Sequence, residues 1–457
     1  MINDAFYDRM KALLGEGYDD FEAALSESPV RGVRLNRIKC GLTELIGEVA
    51  LPLSPLPYYR GGYALTDEVA IGRTPEHHSG MIYVQDPGAM STLSALDIPR
   101  GAFVLDTCAA PGGKASQLAE AVGEDGFIVA NEYVPKRAKI IVGNFERLGI
   151  GNAMVTSMDT AELSKYFRAA FDVVVCDAPC SGEGMFRKSQ NALDDWSEEN
   201  VRASARRQSE ILDNVAPLVR SGGHLLYSTC TYSLEENEMN VDAFLDRHPE
   251  FSLVPVKDEL LRATSDGIVF DGATHSELTL CRRFYPHVSK GEGQFIALLQ
   301  KSGPDVKMQS IVYKDAAKSL SRDEARAVES FFSEALTQRP RGRLVKHGEN
   351  IVLIEHACPL LPKSVFMYGT LVGEVQKGNF KPAHHFFSVF GGLFKLKEEL
   401  SMDEGRLCAY LRGEEIKATS EGRGWCAVTY RGVTLGGGKA SSGVIKNHYP
   451  KGLRNLK

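Results

Sequence analysis

The sequence predicts an α/β fold built on a parallel sheet, with a small α+β module in front of it and a β-rich region behind. Three observations carry this prediction. Between about residues 80 and 302, short runs dense in Val, Ile, Leu and Phe alternate with helical intervals. Four of those runs end in an acid: Asp106, Glu132, Asp159 and Asp177. After Pro304 the alternation stops, and short strands between glycine turns take over.

Residues 1–79 form the leading module. MKALLG (10–15) and FEAALSE (21–27) have helical spacing, and RGVRLNRIK (31–39) alternates as a strand does. Pro52, Pro55 and Pro57 then break the chain. In the second unit, 80–302, the expected strands are AFVLD (102–106), FIVANE (127–132), AMVTSMD (153–159), FDVVVCD (171–177) and HLLYSTC (224–230). QLAEAVG, AKIIVGNFERLG and ILDNVAPLV are the helices between them. Strands alternating with helices imply a parallel sheet with right-handed crossovers. Near-continuous Val and Ile suits a sheet covered on both faces. TLCRRFYPH (279–287) and QFIALLQK (294–301) are expected to close it as two further strands.

Behind the sheet, an intermediate region (303–379) contains SRDEARAVESFFSEAL (321–336). This segment reads as an amphipathic helix with Ser321 as N-cap and Glu324 at the capping-box position. Residues 380–457 make a terminal β-rich domain, and everything after Pro304 is expected to stand apart from the sheet and not to continue it.

A chain of 457 residues exceeds one ordinary core, so several domains are expected. With 43% hydrophobic and 25% charged residues, the composition is that of a soluble globular protein. No apolar run approaches the roughly 20 residues needed to span a bilayer. MINDAFYDRM lacks the charged-then-apolar order of a secretion signal. Nine cysteines without a CxxC pair fit a reducing, cytoplasmic compartment, and they argue against a structural zinc site. No membrane or metal partner is expected, and nothing demands more than a monomer. A net charge of −6 carries no global nucleic-acid signal, so the distribution matters more. From Tyr430 onward there are six basic residues (Arg431, Lys439, Lys446, Lys451, Arg454 and Lys457) and no acid. A second patch holds Arg339, Arg341, Arg343 and Lys346. The histidine pairs His77–His78 and His384–His385 read as surface residues, because neighbours in a strand point to opposite faces and cannot share a metal.

The run DTCAAPGGK (106–114) has the character of a cofactor loop. In open parallel sheets ligands bind beyond the carboxyl ends of the strands, where the four acids fall. Glu132, 19 positions after Gly113, stands about where such folds place a carboxylate for ribose hydroxyls. Gly112 and Gly113 permit close approach to a ligand, and the following helix start offers free N–H groups. Asp159 suits an adenine amino group. A P-loop would need glycine at 108 and Ser or Thr at 115, but the chain has Cys108 and Ala115. GxGxxG is absent too. What remains is a methyl-donor site: S-adenosyl-L-methionine brings a carboxylate, an amine and a ribose, but no phosphate. The alternative is that the acids merely cap helices.

Cys180, in DAPCSGEG, and Cys230, in STCTYS, each follow an expected buried strand, outside the sheet's carboxyl edge. Cys176 and Cys281 read as small buried hydrophobes. Two thiols beside a methyl-donor loop suit methylation of a pyrimidine at carbon 5, which is not itself nucleophilic. A thiolate adding to carbon 6 makes carbon 5 an enamine-type nucleophile. After methyl transfer a base removes the carbon-5 proton and the thiol is eliminated, so one hard step becomes several easier ones. Asp177 could stabilise charge on the ring, and Lys114 is a candidate cation for lowering a thiol pKa. On spacing alone the two cysteines are interchangeable.

DTCAAPGGK, DAPCSGEG and YSTCTYSLEENE together resemble the RNA 5-methylcytosine methyltransferases of the Nop2/Sun family, over about 80–302, and QDPGAM (85–90) resembles the segment leading into their catalytic domain. The resemblance implies a Rossmann-like, S-adenosylmethionine-dependent methyltransferase sheet. It makes Cys230 the nucleophile and Cys180 the thiol that assists elimination. Cofactor contacts are expected at Cys108, Ala109, Ala110, Pro111, Gly112, Gly113, Lys114, Glu132, Asp159 and Asp177. RGVRLNRIK resembles the family's N-terminal extension. Residues 424–454 resemble the PUA-like RNA-binding domain of bacterial F-type small-subunit ribosomal RNA methyltransferases. RNA, and 16S rRNA or the small subunit in particular, is therefore the expected partner.

Overall fold

The computed structural model describes residues 2–40, 51–303, 318–356, 364–376, 378–402, 405–419 and 421–454. Pro304, where the domain change was expected, and Lys457 of the basic tail lie outside the described residues.

The leading module opens with helices Asp4–Leu14 and Tyr18–Leu25. The Asn3 side chain caps the first by accepting from Ala5 N at 3.0 Å. Its four-stranded sheet runs Leu53–Pro55, Gly62–Leu65, Gly32–Leu35 and Ile82–Val84 in spatial order. The fourth strand lies past residue 79, so the module's sheet extends beyond the expected boundary.

The central sheet has ten strands. In chain order they are β1 (Phe103–Asp106), β2 (Phe127–Asn131), β3 (Ala153–Thr156), β4 (Phe171–Asp177), β5 (Val219–Thr229), β6 (Phe251–Leu253), β7 (Ser265–Asp266), β8 (Arg282–Phe284), β9 (Gln294–Lys301) and β10 (Val365–Tyr368). Their spatial order is β7-β8-β9-β5-β4-β1-β2-β3-β10, with β6 also paired to β9. The five strands from β3 to β5 are parallel, and β9 and β8 follow antiparallel, as the two late apolar runs predict. Separate apolar cores cover the two faces of the sheet, which is why consecutive residues such as Val104–Leu105, Ile128–Val129 and Val173–Val175 are apolar. The chain winds outward from β1 through β3, then returns to lay β4 against β1. That reversal makes a crevice beyond the carboxyl ends of β1 and β4.

Two expectations are corrected. The region after 303 does contribute to the sheet: Val365–Tyr368 pairs antiparallel with β3 and closes that edge. An isolated apolar tetrapeptide carries no sign in sequence of whether it caps a distant sheet or its own. The histidines are not surface groups. His78 and His385 are buried, and the pairs lie in the short helix Pro75–His78 and at the start of helix His384–Phe390. His385 Nε2 donates to Ile150 O at 2.9 Å while its Nδ1 accepts from Leu371 N. Burial pushes His77 down to about 3, His384 to about 3 and His385 to about 4.

Helix Arg322–Ala335 forms with its expected capping box, Ser321 and Glu324. Strands Arg343–His347, Asn350–Ile354, Thr370–Gln376 and Asn379–Pro382 make a separate four-stranded sheet. The terminal domain is a five-stranded sheet built on Gly424–Tyr430 and Val433–Ser441. It shares one apolar core with the leading module: Val33 and Ile82 pack in the same cluster as Val428 and Leu435. Tyr430 donates to Glu76 Oε1 at 3.0 Å, and His78 Nδ1 lies 2.7 Å from Tyr449 Oη. The two ends of the chain therefore clasp each other beside the central sheet.

Candidate active site

The loop from β1 to helix Gly113–Val122 forms one wall of the crevice. Gly112 takes φ 108°, a left-handed conformation that glycine adopts without cost. Ala110–Pro111 is a cis peptide. Helix Pro135–Leu148 holds the loop from outside, with Arg137 donating to Ala110 O and Asn144 to Pro111 O. Cys108 through Lys114 thus all lie at the expected edge.

Asn131, the last residue of β2, binds the neighbouring loops together. Its amide donates to Thr107 O (3.1 Å) and Met158 O (3.0 Å), and its oxygen accepts from Thr156 Oγ1 (2.9 Å) and Met158 N (3.0 Å). One buried amide therefore sets the spacing between the loop bearing Cys108 and the one bearing Asp159. Sequence reasoning did not single it out, although a polar residue ending an apolar strand was the available signal.

The acids differ in their surroundings. Asp106 Oδ1 accepts from Cys108 N at 3.3 Å, while Oδ2 is buried with no hydrogen-bond partner. Burial, then repulsion from Asp177, pushes Asp106 up to about 8, against the pull of Lys114. Glu132 accepts from Val134 N (3.0 Å) and lies 3.5 Å from Arg137. Asp159 is exposed and caps helix Thr160–Leu163 through Ala161 N at 2.8 Å. The helix-capping alternative thus describes Asp159 in part, but not Asp106 or Glu132. An orphaned carboxylate oxygen beside a glycine turn and helix N–H groups fits a ligand carrying an ammonium, a carboxylate and a ribose.

Asp177 ends β4 and receives three donors: Lys114 Nζ (2.8 Å), Ser228 Oγ (2.6 Å) and Gln294 Nε2 (3.4 Å). The β4–β5 register places Asp177 beside Ser228. The Lys114 ammonium is therefore spent on Asp177.

Just past the ends of β4 and β5, Cys180 Sγ and Cys230 Sγ stand 3.0 Å apart, both half-buried. Cys176 and Cys281 are fully buried. The residues following each thiol knit the two loops together. Ser181 Oγ lies 2.9 Å from Thr231 Oγ1, Ser181 meets Glu236 through both N and Oγ, and Thr231 donates to Glu183 at 2.8 Å. Gln208 bridges Pro179 O and Glu236, and Asn237 donates to Thr231 O. The hydrogen bond to Cys230, then burial, raises the Cys180 pKa and keeps that group a thiol.

Away from the crevice, Lys439, Lys446 and Lys451 are exposed, with Lys439 lying over the Trp425 ring. In the second basic patch, Arg339 pairs with Glu329 and Lys346 with Glu324, both from helix Arg322–Ala335. Folding thus brings that helix's acids to the patch, and Lys346 also lies 3.7 Å from Glu349, three positions along the chain. Among the described residues no helix is long and apolar enough to cross a membrane.

Three family models match the chain in succession: the N-terminal domain of 16S rRNA methyltransferase RsmF at 2–87, 16S rRNA methyltransferase RsmB/F at 93–300, and the RsmF PUA domain at 397–455. Ribosomal RNA small subunit methyltransferase F of Klebsiella pneumoniae (strain 342) is 30% identical over 472 residues, 98% of this chain and 96% of the relative. The chain belongs to the 16S rRNA methyltransferase F family. The namesake from Vibrio vulnificus (strain YJ016) is likewise 30% identical, over 99% of this chain and 97% of its own length. Among solved structures, a methyltransferase homolog protein from Pyrococcus horikoshii aligns with TM-score 0.58 and 29% identity over 65% of this chain and 95% of its own. NSun6 from the same organism, solved with SFG, shares the fold at TM-score 0.55 and 22% identity, over 65% of this chain and 98% of its own. The PUA match begins at 397, later than the expected boundary at 380.

Proposed function

We propose that this protein methylates carbon 5 of cytidine in small-subunit (16S) ribosomal RNA through a covalent Cys–cytosine intermediate. The observation that carries the reading is the contact of two half-buried thiols beside Asp177, in the crevice that the β1 loop shares. S-adenosyl-L-methionine is the group that would supply the methyl. Residues 108–114, with Asp106, Glu132 and Asp159, would hold it.

The rest falls to side chains of this chain. Cys230 Sγ, as thiolate, bonds to cytosine carbon 6; the negative charge this puts on the ring is balanced by a proton at ring nitrogen 3, and Asp177, fixed by Lys114 and Ser228, accepts that N–H. After carbon 5 takes the methyl group, its proton leaves to a base, and the electron pair of that C–H bond re-forms the ring double bond as the C–S bond breaks. Cys180, 3.0 Å from the departing sulfur, is placed to return a proton to it. A duplex would hide the base, so the cytidine must be unstacked, at a cost of a few kcal/mol. The exposed lysines of the terminal domain supply phosphate contacts.

Two point variants test the assignment with radiolabelled methyl donor and 16S rRNA. Cys230→Ser is expected to abolish transfer. Cys180→Ala is expected to leave a protein–RNA adduct that survives denaturing electrophoresis. Methylation at wild-type level by Cys230→Ser would reject the nucleophile.

A further inference from the structure

We propose that Glu183 and Glu236 share a single proton through the hydroxyls of Thr231 and Ser181, and that this proton locks the two cysteine loops together. The inference concerns the protein's own ionisation, so it stands apart from the identity of the substrate.

Three oxygen–oxygen contacts join the four side chains: Glu236 Oε1 to Ser181 Oγ at 2.5 Å, Ser181 Oγ to Thr231 Oγ1 at 2.9 Å, and Thr231 Oγ1 to Glu183 Oε2 at 2.8 Å. Each is of hydrogen-bond length and needs one hydrogen. Serine and threonine bring one apiece, and ionised carboxylates bring none. The third hydrogen must come from a carboxyl at one end of the chain.

The remaining contacts place it on Glu236. Glu183 receives three donors, from Trp196 Nε1, Thr231 Oγ1 and Tyr232 N, which is the environment of a carboxylate. Glu236 Oε2 accepts from Ser181 N and Gln208 Nε2, whereas Oε1 meets only the Ser181 hydroxyl. A proton on Oε1 donates to Ser181, which donates to Thr231, which donates to Glu183. Every oxygen in the series is then satisfied.

The surrounding charges agree. Glu236 is faced by Cys180 and Tyr227, neither of them cationic, and Glu183 by Tyr232, Tyr285 and Arg9. Arg9 is already held by Glu235 through two hydrogen bonds. Burial raises both carboxyls: Glu183 against its donors and the nearby Arg9, and Glu236, against the donors from Ser181 and Gln208 and with repulsion from Glu183 added, up to about 7. Glu236 is thus a positioning residue. It acts through Ser181 and Thr231, the residues that follow Cys180 and Cys230.

The test combines infrared difference spectroscopy with variants of the full chain. The wild-type minus Glu236→Gln difference spectrum is expected to contain a protonated-carboxyl band well below pH 7 that disappears well above it, the Asp106 carboxyl being common to both proteins and cancelling. Because glutamine donates from one side and accepts on the other, Glu236→Gln keeps the hydrogen-bond direction. Glu236→Ala is expected to lower kcat/KM on the order of 10–100-fold, as loosened loops do. Glu236→Gln should restore most of that loss and shift the alkaline limb of the pH profile upward. Glu183→Gln, which turns an amide N–H toward existing donors, should be the more damaging amide variant by thermal melting. The absence of such a band from the wild-type minus Glu236→Gln difference would overturn the proposal. So would equal damage from the two amide variants. Loss of methylation in an otherwise band-positive wild type would count only against the proposed function.

Discussion

Replacing Asn131 by leucine removes the amide that ties the crevice loops while nearly preserving side-chain shape. Four buried groups lose their partner: Thr107 O, Met158 O, Met158 N and Thr156 Oγ1. Of these, Thr156 Oγ1 and Met158 N lose an acceptor, and the two carbonyls lose a donor. A net hydrogen bond is worth about 1 kcal/mol, and an orphaned buried group costs about 1–3 kcal/mol. A leucine side chain also leaves no room for a compensating water, so the total is at least about 4 kcal/mol. Against a usual domain stability of about 5–15 kcal/mol this is a large fraction. Because the lost bonds join the loop after β1 to the loop after β3, the cost falls at the crevice. Urea unfolding followed by circular dichroism measures the stability, and titration calorimetry with S-adenosylhomocysteine measures binding. A loss below about 1 kcal/mol with unchanged affinity would refute the account of Asn131 as the tie.

Two further outcomes follow from the geometry. Asp106, raised to about 8 by burial and by Asp177, is protonated at neutral pH in the free protein. A ligand ammonium on its orphaned oxygen needs the carboxylate, so binding releases a proton and affinity climbs with pH up to that value, by at most about tenfold per unit. Calorimetry in buffers of different ionisation heat reads the proton directly, and a pH-independent affinity would contradict the placement. Exchanging the exposed Lys439, Lys446 and Lys451 for glutamate should weaken RNA binding and reduce its salt dependence by about one unit of slope per phosphate contact, while leaving S-adenosylhomocysteine affinity intact. Deleting 380–457 is a poorer test, because the shared core with Val33 and Ile82 would be laid bare.

Local order was largely legible in the chain. The apolar runs of β1, β2, β4, β5, β8 and β9, the Gly112–Gly113 turn and the Ser321 capping box each depend on residues a few positions apart, so pattern and propensity speak for them. The same holds for Asp106, Glu132 and Asp177, since a parallel sheet gathers the ends of its strands on one edge; Asp159 lies three residues past the end of β3, where it caps the next helix. The motif resemblance, likewise local, pointed to the methyltransferase family that the comparisons show. The burial of the histidines was not legible. Their surroundings come from Tyr449, Ile150 and Leu371, far away in the chain.

What the sequence determined by itself, then, is the inventory: an α/β sheet, a cofactor-type loop, and two thiols placed after buried strands. Tertiary structure decided the relations among them. It spent Lys114 on Asp177 rather than on a thiol, paired the second basic patch with the acids of helix Arg322–Ala335, and recruited β10 from beyond residue 303. It also brought Cys180 and Cys230, 50 positions apart in the chain, to 3.0 Å. The reason is that a hydrogen bond or ion pair depends on separation in space, and for these groups the β4–β5 register and the crossovers set that separation.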